Sequence, residues 1–163
     1  MSIFEKVLTK FEDTLHLGGC LSLVAVAALI NADILLRLFF NQPVQIQFEL
    51  TELYLMPVLA TLSLSRVFRD GGHLALDFVP EHLPGFLGKA IFKLRLLLPA
   101  AFFAAVTWMS GKFALNAIVH GDVEYGALDW PLGWAYAVIP LGCCVLTLRL
   151  LHDAFAKKVV IAP

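Results

Sequence analysis

From residue 3 to 15, apolar side chains recur at helical spacing. Ile3, Phe4, Val7, Leu8, Phe11 and Leu15 fall on one face, and Glu5, Lys6, Thr9, Lys10, Glu12 and Asp13 on the other. This pattern predicts an amphipathic helix over 2–16, suited to a membrane surface or a partner. The polar face then disappears. Continuous apolar runs occupy 17–40, 48–68, 89–119 and 130–152. A spanning helix needs roughly 20 apolar residues, so the pattern predicts an all-α integral membrane protein of four transmembrane helices.

The four runs are not equivalent. The first carries Asn31, Asp33 and Arg37 in its second half. Asp33 and Arg37 are one helical turn apart and can form an ion pair. Gly18, Ser22, Ala25, Ala28 and Ala32 make a small-residue stripe that predicts close helix contact. The second run is uncharged only over 53–65. It spans if Glu49 and Glu52 lie at one interface and Arg66 and Arg69 at the other, with Pro57 bending it. In the third run Lys112 interrupts the apolar residues, which predicts a long or tilted helix or one partly outside lipid. The last is cleanest. Asp129 before Trp130-Pro131 reads as a helix N-cap with proline in the first turn, and Trp130, Trp134 and Tyr136 suit an aromatic belt.

Composition agrees with lipid as the solvent. Of 163 residues, 60% are hydrophobic and 15% charged, with mean hydropathy +0.81; a soluble domain carries about 25% charge. A net charge of −1 points away from nucleic acid. Lysine and arginine sort to one side. Lys6, Lys10, Arg66, Arg69, Lys89, Lys93, Arg95, Lys157 and Lys158 lie in the termini and the joint at 69–88 or beside it, whereas the stretch from Leu38 to Leu53 and the loop at 120–129 have none. Both termini and the joint are therefore expected in the cytoplasm. Ala25-Val26-Ala27 mimics a signal-peptide cleavage site, but the apolar run continues to Phe40, which predicts an uncleaved anchor.

Candidate chemistry is sparse. Cys20, Cys143 and Cys144 sit in apolar runs without a CxxC and read as small packing residues. His16, His73, His82, His120 and His152 all fall at or beyond span ends, unlike axial haem ligands. His73 with Asp77, then Glu81 and His82, lack the remaining ligands of a metal site. Ser63, Ser65 and Ser110 have no nucleophile elbow. Gly71-Gly72 lacks the lysine and hydroxyl of a phosphate loop. No enzyme class or cofactor is implied. Two readings of the intramembrane carboxylates remain. Asp33 or Glu49 could be the coupling acid of an autonomous small carrier, or they could anchor helix contacts. A coupling acid belongs unpaired near the midplane.

One ordered set of residues stands out. Glu49 opens the second run, which ends in "RDGGHLALDFVPEHLP", including Arg69, Gly71, Gly72, His73 and Asp77; the closing segment is "WPLGWAYAVIPLG". Together they resemble the small membrane subunit of TRAP transporters, the tripartite ATP-independent periplasmic carriers, over about residues 10 to 155. Family members often carry two adjacent acidic residues where the second span opens; here Phe48 precedes Glu49, and Glu52 follows a turn later. The resemblance implies a non-catalytic scaffold subunit in a bacterial inner membrane. Its partners would be a large elevator-type subunit holding substrate and sodium sites, a periplasmic binding protein delivering an organic acid such as a C4-dicarboxylate or sialic acid, and membrane lipids. The acidic loop, with Asp122, Glu124 and Asp129, is then a candidate docking surface for the binding protein. Gly71 and Gly72 would allow the turn of the joint, with His73 and Asp77 fastening it.

Overall fold

The computed structural model describes residues 3–72 and 85–155, with side chains from 5 and, in the second segment, from 93. The chain is built of long helices and one small hairpin. Helix α1, Ile3–Phe40, runs 38 residues without a break, about 57 Å. The amphipathic stretch and the first span are thus one rod rather than two elements. No glycine or proline in α1 forces a break, because Gly18-Gly19 keeps helical geometry where another helix approaches closely. The helix ends where Asn41 takes a left-handed φ of 56° and its N–H bonds to Arg37 O at 3.1 Å, a left-handed C-terminal cap.

The second apolar run is a segmented helix: α2 (Gln45–Leu50), a π-helical turn (Thr51–Leu55), α3 (Met56–Leu62) and α4 (Leu64–Arg69). Pro57 explains the segmentation. It has no N–H and its ring crowds the carbonyl four residues back, so the turn before it widens and Met56 N–H reaches Thr51 O. In apolar surroundings the loosened backbone needs partners. Ser22 Oγ supplies one by donating to Leu55 O at 2.7 Å.

Helix α5, Gly85–His120, has 36 residues, and α6, Leu132–Phe155, has 24. Among the described residues, three helices are long and apolar enough to cross a membrane: α1, α5 and α6. Strands β1 (Val123–Tyr125) and β2 (Asp129–Pro131) form an antiparallel hairpin with Glu124 opposite Trp130. This corrects two expectations. The loop at 120–129 is not simply irregular, and Asp129 is not a helix cap. Trp130 and Pro131 belong to the strand, and α6 starts at Leu132, whose N–H is taken by Asp122 O at 3.0 Å.

The helices lie in a row: α1, then the segmented helix, then α6, then α5. Helix α6 takes the middle because small residues let neighbours close in on both sides. A β-carbon on Gly142 would stand 2.5 Å from Thr61 O, and one on Gly133 would meet Ile118. The contact face of α1 is rotated from the expected stripe. Gly19, Ser22, Val26 and Asp33 are buried, while Ala28 and Ala32 are exposed. The core cluster is small, Leu96, Ala100, Leu146 and Leu150, and large apolar side chains such as Leu38, Leu98 and Phe102 face outward.

The two close approaches make a test. A β-carbon on Gly19 would also stand 2.5 Å from an oxygen, Ser63 Oγ, but that hydroxyl can rotate away and the Thr61 carbonyl cannot. Gly142→Ala should lower the thermal midpoint in detergent clearly more than Gly19→Ala. Equal effects would show that the α3–α6 approach is not tight.

Candidate functional site

Polar residues gather at the two opposite ends of the helices. At one end, which carries the hairpin, two carboxylates each tie separate segments together. Asp33 is buried. It pairs with Arg37 Nη2 at 3.0 Å and accepts the Val44 N–H at 2.8 Å, so α1 is fastened to the start of α2. Glu49, on α2, reaches the hairpin. It accepts the Ala127 N–H at 2.8 Å and the Trp130 indole N–H at 2.7 Å. Gly126 lies so close that a β-carbon there would run into the Glu49 carboxylate. Tyr54, on the π-helical turn, adds a second strap. Its hydroxyl donates to Pro131 O at 2.7 Å and its ring lies 5.6 Å from that of Trp130. Asp122, Glu124 and Asp129 project from the hairpin and are exposed.

The opposite end holds a denser cluster. Glu12 has no exposed side-chain surface. It accepts from Ser65 Oγ at 2.7 Å and Arg69 Nη1 at 2.9 Å, and Arg149 Nη1 lies 3.7 Å away. Neighbouring Asp13 meets Arg69 at 2.6 Å and Arg66 at 3.2 Å, and Arg149 also faces Asp153 at 3.4 Å. The hydrogen bond from Arg69 holds the Asp13 carboxyl below the ordinary carboxylate range, against the desolvation that would raise it. One buried carboxylate thus joins α1, α4 and α6.

The joint begins as the glycine pair requires. Gly71 has φ 75°, its N–H bonds to Phe68 O at 3.1 Å, and the Gly72 N–H bonds to Val67 O at 2.9 Å. This double closure is a Schellman motif, which favours glycine at its left-handed position. His73 and Asp77 lie outside the described residues. His16 sits within α1, where its ring hydrogen-bonds with Ser63 Oγ at 3.2 Å. Among the described residues, no three His, Cys, Asp or Glu side chains converge as a metal site.

The sequence pattern placed Glu49, Arg69 and Gly71 at segment ends and Asp33 within the first run; the fold puts Asp33, Glu49 and Arg69 in contacts between segments, while Gly71 closes the end of α4. The pattern assigned Glu12 to the solvent face and gave Arg149 no role. A signal for Glu12 was present: with Leu8, Leu15, Gly19, Ser22 and Val26 it follows the three–four spacing of a packed seam. Which residue would meet it had no local signal.

Residues 26–158 match the family model for the DctQ component of tripartite ATP-independent periplasmic transporters. No curated protein sequence matches the chain.

Proposed function

The chain belongs to the DctQ family, the small component of TRAP transporters, and from that premise we propose that it is the fixed scaffold of a sodium-coupled, binding-protein-dependent carrier of organic acids such as C4-dicarboxylates or sialic acid. The family is a transporter component rather than an enzyme family, and it works with a large membrane subunit and a periplasmic binding protein. In this reading the segmented helix is the fourth span. The charged cluster lies at the cytoplasmic face with both termini, and the hairpin lies in the periplasm of a bacterial inner membrane.

One observation carries the scaffold role. The carboxylates that an autonomous carrier would use are already engaged: Asp33 by Arg37 and the Val44 N–H, Glu49 by Ala127 and Trp130. A group that must bind and release a coupling ion in each cycle should not be held by fixed donors. These bonds serve contact between segments.

The hairpin is the proposed docking surface. Asp122, Glu124 and Asp129 are exposed there, and steering by such charges acts chiefly on association rate. The test is reconstitution with the large subunit and the binding protein. The chain should co-purify stoichiometrically with the large subunit and show no ion flux alone in liposomes. Reversing the three hairpin charges should slow uptake several-fold while leaving the membrane complex intact. Substrate-dependent ion flux by the chain alone would overturn the scaffold role, and unchanged uptake would remove the docking surface.

A further inference from the structure

Four exposed charges within the apolar runs have no ion-pair partner among the described residues: Glu52 near the hairpin, Lys93 and Arg95 at the opposite end of α5, and Lys112 between those ends. Lys112 is exposed on α5. Its ammonium lies 5.0 Å from the centre of the Trp108 ring, and no carboxylate among the described residues is within ion-pair distance. Its depth follows from its neighbours. A β-carbon on Gly111 would touch Pro140 at 3.9 Å. On α6, Pro140 is about 12 Å from the helix start at Leu132 and about 14 Å from Arg149. Lys112 therefore sits near the middle of the layer bounded by the hairpin clasp and the charged cluster.

Ionisable residues at such depth face a protein interior or a polar cavity, and they pair with an opposite charge. Lys112 faces away from the interior of this chain, so the interior it faces belongs to a larger assembly. The surrounding surface suits a helix. Lys112 stands between two open grooves. One is lined by Ala104, Gly111, Cys144 and Leu148, the other by Met109, Phe113, Asn116 and Val119. Alanine, glycine and cysteine in the first leave room for a backbone to come close.

We infer that the outward face of α5 around Trp108, Lys112 and Asn116 is the contact surface for a transmembrane helix of the large subunit, one that presents a carboxylate to Lys112. This rests on the scaffold reading and goes beyond it by naming the face and the chemistry of its partner. The charge decides the occupant. A lipid tail offers no counter-charge at this depth. A second copy of this chain offers only Glu52 as a carboxylate in an apolar run without a partner among the described residues, and Glu52 lies near the hairpin end.

The test uses the intact complex in native membranes, with a photo-activated cross-linking amino acid at Asn116. The expected product joins this chain to the large subunit, at a helix carrying Asp or Glu. Lys112→Glu should cut its yield at least tenfold, and Lys112→Met, which removes the charge without adding another, should cut it less. Reversing the partner carboxylate to lysine should restore the yield with Lys112→Glu. Adducts only to lipid, adducts only to a second copy of this chain, or an undiminished yield with Lys112→Glu each overturn the inference. If the unaltered chain does not co-purify with the large subunit, the scaffold reading itself fails. If it does co-purify but gives no adduct at Asn116, only this face is wrong.

Discussion

Replacing Glu12 with leucine should destabilise the isolated chain by about 2–3 kcal/mol. Its side chain is fully buried between two guanidinium groups, with side-chain exposures of 18% for Arg69 and 10% for Arg149. Breaking a buried pair by removing one partner costs roughly 3–5 kcal/mol, because the remaining charge is left uncompensated. The lower figure applies here because Asp13 still holds Arg69 at 2.6 Å and Asp153 still faces Arg149. Tryptophan fluorescence on heating in detergent reports the loss, since Trp108, Trp130 and Trp134 lie on three different elements. A fall in midpoint of roughly 5–10 °C is expected. The decisive variant is the double replacement, Glu12→Leu with Arg149→Leu. Removing both members of a buried pair is often close to neutral, so the double variant should recover at least half of the loss. Strictly additive losses would mean that the 3.7 Å approach of Arg149 contributes nothing, and that the cluster does not join α1 to α6.

Replacing Glu49 should release the hairpin. Two hydrogen bonds end on this carboxylate, and a charged acceptor makes such bonds stronger than neutral ones. The site is only partly buried, so solvent competes for both donors. The natural readout is local. Amide exchange across 121–131 should rise several-fold in Glu49→Ala if opening is confined to the hairpin. Glu49→Gln should have a smaller effect. Its amide keeps one acceptor oxygen but turns an NH₂ group toward a second donor. Tyr54→Phe, which loses only the bond to Pro131, should raise exchange least. Binding-protein association should weaken in the same order, while assembly with the large subunit is unaffected. Hairpin exchange unchanged by Glu49→Ala would show that the clasp does not hold the strand pair.

The two clasps were unequally legible. Asp33 and Arg37 could be paired on paper because a helix sets the distance between residues one turn apart. Glu49 could be placed at the opening of the second run, and it stood out through the family resemblance. Its partners Ala127 and Trp130 are remote in sequence and sit on a hairpin that the polar pattern did not distinguish from a loop. The proline after Trp130 read as a helix start, yet it pairs across the strands with Val123. Local preference allowed both, and the bond from Leu132 N–H to Asp122 O belongs to the folded hairpin.

Sequence alone determined which stretches are apolar enough for lipid, where charges bound them, and where the chain can turn. These are properties of neighbouring residues, governed by helical rise, side-chain transfer and backbone sterics. The glycine pair after Arg69 therefore became a helix end as its composition demanded. Only the tertiary structure decided the order of helices in the row, the rotation of α1 that buries Gly19 and Glu12, and the choice of Arg69 and Arg149 as partners for that carboxylate. The reason is physical. An apolar helix is satisfied by lipid on any face, so hydrophobicity does not choose among its neighbours. The choice falls to steric fit at a few small residues such as Gly142, and to the cost of leaving a buried charge alone.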